Sequence, residues 1–117
     1  MAASTRIVEH VPNEVWKKTL AKYSDDRIIA VSHALFRLSE KQRKVFKEEN
    51  LKKILLEATP VFVGVQRNGR YAVFFEGNDK YYMRIVCELN VRNIEIVTFY
   101  NVTKETLRTI ENEFKIP

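Results

Sequence analysis

Glycine is scarce in this chain: three residues in 117, at Gly64, Gly69 and Gly77. They are too few and too scattered for a Walker loop or a dinucleotide-binding loop, which excludes nucleotide-cofactor enzymes built on those loops. Cysteine is scarcer still. A single Cys87 excludes an intramolecular disulfide, and with only His10 and His33 beside it no structural zinc site can be assembled. No G-x-S-x-G elbow is present, and the one E-x-K run, Glu113-Phe114-Lys115, is a poor basis for a metal-dependent nuclease. Neither a metal nor any other cofactor is expected. No apolar run approaches the roughly 18 residues of a membrane span, and Met1 to Arg6 lead into charged sequence rather than an apolar signal core. No membrane association and a reducing, cytoplasmic compartment are the expectations.

What is present is an ordinary globular composition with a basic surplus. Hydrophobic residues make up 45% and charged residues 30%, enough for one compact domain over 1–117 without a staple. The net charge is +5, a bias toward anionic partners such as nucleic acid. Residues 1–57 hold 12 basic and 8 acidic side chains, whereas 58–117 hold 8 and 7, so the first half carries the surplus.

Composition changes near the same boundary, from Lys/Glu-rich sequence with helical spacing to β-branched and aromatic runs. Asn13 is placed to cap a first helix in which Trp16, Leu20 and Tyr23 recur on one face. From Asp26 a second helix is predicted, with Ile28, Val31, Leu35 and Leu38 buried and His33 and Arg37 one turn apart. Ser39-Glu40-Lys41-Gln42 has the form of a capping box for a third helix running to Glu57, and Pro60 stops it. Residues 61–67 and 70–76 flank Asn68-Gly69 and predict a hairpin. Strands over 81–89 and 94–100 follow, and Thr103 caps a last helix carrying Leu107, Ile110 and Phe114. The expected fold is α+β: a helical part over 13–57, a four-stranded antiparallel meander over 61–100 and a short terminal helix over 103–115.

The strands are apolar on both sides, with Val73 and Phe75 against Ala72 and Phe74, and Ile94 and Ile96 against Val97 and Phe99. The second face calls for cover by the terminal helix, a folded-back segment or a second subunit, so a homodimer is expected.

Metal-independent chemistry on an anion needs a proton-transfer group and fixed cations, as in RNA cleavage through the neighbouring 2′-hydroxyl. His33 and Arg37 supply those residue types on one helix face, although, taken singly, a helix-surface or satisfied core histidine and a solvated arginine are the commoner explanations. Arg84 is the odd residue of an apolar strand. It either pairs with Glu76, Glu88 or Glu95, or it points into a cleft. Lys41, Arg43, Lys44 and Lys47, continued by Lys52 and Lys53, form a basic run that could track a phosphate backbone, as could Arg70 beside the hairpin turn. The same run also reads as a wet helix face. Tyr71, Tyr81, Tyr82 and Tyr100 near strand ends could stack on bases or pack at the core's edge. Cys87, between Val86 and Glu88, reads as a buried inert thiol.

The order Ser32-His33-Ala34 with Arg37-Leu38, then Met83 to Glu88 and Ile94 to Tyr100, resembles a small uncharacterised domain family grouped with the barnase, EndoU, colicin and RelE ribonuclease fold. The resemblance covers about residues 30–102. It implies a toxin-like, metal-independent endoribonuclease, with His33 as acid or base, Arg37 and Arg84 on the scissile phosphate, Thr98 orienting groups and Tyr100 beside them. The family's second arginine followed by glycine is missing; Leu38 to Lys41 fill that place. RNA is the expected partner, with an antitoxin-like protein as another. The competing expectation is a non-catalytic module that binds nucleic acid or protein on the same fold.

Overall fold

The computed structural model describes residues 2–30 and 48–114. Among them are strands β1 (Ile7–His10), β2 (Ile28–Ala30), β3 (Phe62–Gln66), β4 (Tyr71–Glu76), β5 (Tyr81–Leu89) and β6 (Ile94–Thr103). The helices are α1 (Asn13–Leu20), α2 (Glu48–Glu57) and α3 (Lys104–Glu113), with short 3-10 turns at Ala2–Thr5 and Asp25–Arg27. The architecture is α+β, but the sheet is mixed and six-stranded, in the order β1-β3-β4-β5-β6-β2. The meander β3 to β6 is antiparallel as its turns require, and two early strands extend it. β1 joins β3 antiparallel, and β2 joins β6 parallel.

Those edge strands correct two expectations. Ile28–Ala30 opens no helix: Ile28 pairs with Ile94 and Ala30 with Ile96, so a periodicity that fits a helix is overridden by strand pairing of β-branched residues. The sheet is correspondingly not the four-stranded antiparallel meander alone, whereas the expected short terminal helix does form, as α3. The remainder of the expected second helix, and the third up to Lys47, lie outside the described residues.

The hairpin forms as expected. Gly69 N donates to Gln66 O at 2.9 Å, and Gly69 then takes φ +87°, a conformation that side chains disfavour. Asn68 supports the turn by accepting through Oδ1 from Arg70 N and Gln66 Nε2. Thr103 caps α3, accepting from Thr106 N at 3.2 Å. Asn13 does not cap α1. Pro12 holds the extended N-cap position and its carbonyl accepts from Trp16 N, while the Asn13 amide donates to Pro60 O and ties the helix to the start of β3.

β3, β4 and β5 alternate their side chains between two apolar clusters. The larger packs Trp16 and Leu20 of α1 and Leu51 and Leu55 of α2 onto Val63, Val73, Phe75, Ile85 and Ile96. The smaller lies on the opposite face, where Leu107, Ile110 and Phe114 of the α3 region meet Ile7, Phe62, Ala72 and Phe74. The terminal helix thus supplies cover for the second apolar face. Phe99 joins Ile94 and Ile96 in the larger cluster, contrary to simple alternation, because Val86 faces Thr98 and Cys87 faces Ile96, leaving Val97 as an extra residue that shifts the phase by one. Gly64 permits the close approach of β1, since a Cβ there would lie 2.5 Å from Ile7 Cγ2. No helix of the described residues is long and apolar enough to cross a membrane.

Candidate functional site

Arg84 sits in the middle of β5, with its neighbours Met83 and Ile85 turned to the larger cluster and its own side chain on the α3 face. It is 7% exposed. None of the carboxylates expected to neutralise it does so. Among the described residues Arg84 forms no ion pair, and Glu76 goes instead to Lys104 at 3.5 Å. The guanidinium is held by neutral groups. Nη2 donates to Gln66 Oε1 at 2.6 Å and to the Thr5 carbonyl at 2.8 Å. Its carbon lies 5.2 Å from the Phe74 ring centre and 5.8 Å from that of Tyr100, so two aromatic faces replace part of the lost hydration. Nε has no partner. Burial lowers the affinity of the guanidinium for its proton from the usual value, and Tyr100 pulls it partly back; arginine nonetheless stays charged.

The acceptors explain what this charge does in the fold. Ser4 O accepts from Asn68 N at 3.1 Å, Thr5 O from Arg84 and Arg6 O from Arg67 N at 2.9 Å. Three consecutive carbonyls, two in the first turn and that of Arg6 just after it, are therefore fastened to the hairpin and to β5. Gln66, 1% exposed, completes the clasp, receiving Arg84 on its oxygen and donating from its nitrogen to Asn68. Gln66 escaped sequence reasoning. Its signal was its position two residues beyond Gly64 and four beyond Phe62, in phase with an inward face.

The other candidates divide clearly. Tyr100 faces Arg84 directly across β5 and β6 and is 42% exposed, and half-buried Thr98 faces Val86 on the same strand pair. Arg84, Tyr100 and Thr98 thus come together on neighbouring rows. Half-buried Arg70 lies beyond the hairpin turn, with its backbone engaged by Asn68 and Gln66. His33, Arg37, Lys41, Arg43, Lys44 and Lys47 lie outside the described residues. Cys87 is fully buried and its thiol is pushed up to about 12 by burial, as an inert core thiol should be. No group of His, Cys, Asp or Glu among the described residues is arranged to hold a metal ion.

The model of the MJ0788 family matches residues 14–87, more than half of the chain. The chain belongs to the MJ0788 family. No curated protein and no solved structure matches it. The MJ0788 match runs from α1 through most of β5, so it takes in Gln66 and Arg84 and stops before Thr98 and Tyr100 on β6.

Proposed function

We propose that the chain is an RNA-binding module rather than a ribonuclease. The observation that carries this reading is the commitment of Arg84. A cation that stabilises a pentacovalent phosphate must offer free N–H donors to the oxygens that gain charge. Nη2 of Arg84 already serves Gln66 and Thr5, and the residue is buried behind the segment it fastens. The guanidinium keeps N–H groups beyond those two bonds, but the side chain is only 7% exposed, so a phosphate has little access to them. The cations without a partner lie elsewhere, on the surface, and the net charge of +5 favours a polyanion. On the resemblance drawn above, such a module keeps a ribonuclease-like fold and uses its surface for binding.

The test uses end-labelled RNA in excess EDTA, with wild type and His33→Ala compared by electrophoretic mobility and by analysis of product ends. Retarded but intact RNA is the expected result for both. Wild-type cleavage leaving a 2′,3′-cyclic phosphate and lost in His33→Ala would overturn the module and restore the ribonuclease.

A further inference from the structure

Parallel pairing of β2 with β6 has a geometric consequence at one end of the sheet. Parallel strands start at the same end, so the residues that precede them become neighbours. Arg27 immediately precedes Ile28, and Arg92 lies two residues before Ile94, the residue paired with Ile28. Both are carried on closed turns. Arg27 N donates to Ser24 O at 2.9 Å, and Asn90 donates to Asn93 through its backbone N and its side-chain Nδ2, each at 2.8 Å. The two turns are braced through the residues that follow α1, where the Tyr23 hydroxyl donates to Asn90 O at 2.6 Å. Between them is a cleft of about 350 Å³ lined by Lys22, Ser24, Arg27, Val91 and Arg92.

Its three cations are exposed, and none forms an ion pair with a described residue. The nearby carboxylate is Asp26, fully exposed and held below its usual value by the Ser24 hydroxyl bond first, then by the positive charges of Arg27 and Lys52. The Ser24 proton is therefore spent on Asp26. Attraction for a ligand rests on the three cations that line the cleft.

We infer that this braced cleft is a phosphate-binding site for the sugar-phosphate backbone of a nucleic acid. The inference rests on the RNA-binding reading and locates the contact. Lys22 and Arg27 from the connection between α1 and β2, and Arg92 from the turn between β5 and β6, line one opening, so a phosphodiester could meet more than one of them at once. The braced turns hold the backbone of the arginines in place before binding, which reduces the ordering cost. Fixed charges around a concavity also focus field more strongly than the same charges spread over a surface.

Fluorescence anisotropy of a mixed-sequence single-stranded RNA, and of the matching DNA, over a salt series tests the assignment. Each phosphate contact to a single strand contributes about 0.7 to the slope of log affinity against log salt, so Arg27→Ala/Arg92→Ala should flatten the slope by about 1.4 and weaken binding roughly 25-fold at about 0.1 M. Lys80→Ala/Arg108→Ala removes the same charge from remote exposed positions and should keep most of the slope. Asp26→Asn removes the opposing carboxylate and should tighten binding, a gain that no purely structural role for these turns yields. Comparable effects on RNA and DNA mark backbone recognition, whereas a loss confined to RNA replaces it with recognition of the sugar. If wild type binds and the cleft variant binds as tightly, or falls no further than the remote variant, the site is wrong and the module stands. If wild type binds neither strand, the module and its site fall together.

Discussion

The two faces of the sheet solve the problem of burial differently. One is apolar throughout, with Trp16, Leu51, Leu55, Phe75, Ile85 and Cys87 among its members. The other has a smaller apolar cluster under α3 and, beside it, a buried arginine held by a glutamine and a main-chain carbonyl. The first face is stabilised by area removed from water, which is large and tolerant of direction. The second depends on donors meeting acceptors, which adds little net stability but fixes the first turn to one place. A buried charge identified in a sequence is thus no sign of catalysis by itself; here the partners show a fastening.

Four substitutions or titrations sharpen this contrast. Phe75→Ala opens a cavity in the larger cluster and should cost about 3–5 kcal/mol in urea unfolding; a loss below 1 kcal/mol would deny that this face dominates stability. Arg84→Met leaves buried Gln66 Oε1 without its donor and should cost about 1–3 kcal/mol. Adding Gln66→Leu should recover most of that loss, because both partners of a buried pair are then apolar, and strict additivity in the double-mutant cycle would dissolve the clasp. Cys87 tests the dryness of the first face. Its thiol ionises at about 9 when exposed and about 12 in the fold, so the folded state retains a proton that the unfolded chain gives up. The stabilisation is fully present below about pH 9 and is lost as pH rises toward about 12. Wild type should therefore lose stability more steeply than Cys87→Ala over that window, by up to about 1.4 kcal/mol per pH unit; parallel curves would mean that water reaches the thiol. Thr103→Ala removes the cap of the helix that covers the second face and should cost about 1 kcal/mol, read as a shift in the urea midpoint at unchanged slope.

What was legible in the sequence was local. The hairpin around Gly69, the β5 and β6 runs and the Thr103 cap are each decided within a few residues, by turn chemistry, alternation or a single side-chain bond. β1 and β2 were hidden because three or four residues carry almost no periodicity, and their partners lie far along the chain. Ile28 even satisfied a helical pattern with Val31 and Leu35. Arg84 stood out as anomalous, yet its partners did not: a main-chain carbonyl at Thr5 leaves no mark on residue identity, and the glutamates considered for it were reasonable only on charge. The cleft between Arg27 and Arg92 was invisible for the same reason as β2, since it exists only once that strand lies beside β6.

The order of strands in space also bears on the order of events as the chain emerges during synthesis. Both edge strands come before the meander in the chain: β2 precedes its partner β6 by an entire meander, and β1 precedes β3. Closing such long loops costs entropy before any contact repays it, whereas β3 to β6 pair through short connections. The meander should therefore assemble as the kernel, with the two early strands docking onto its exposed edges afterwards. Once there, β1 and β2 are themselves the edges, and at four and three residues they offer another chain's strand little length along which to add.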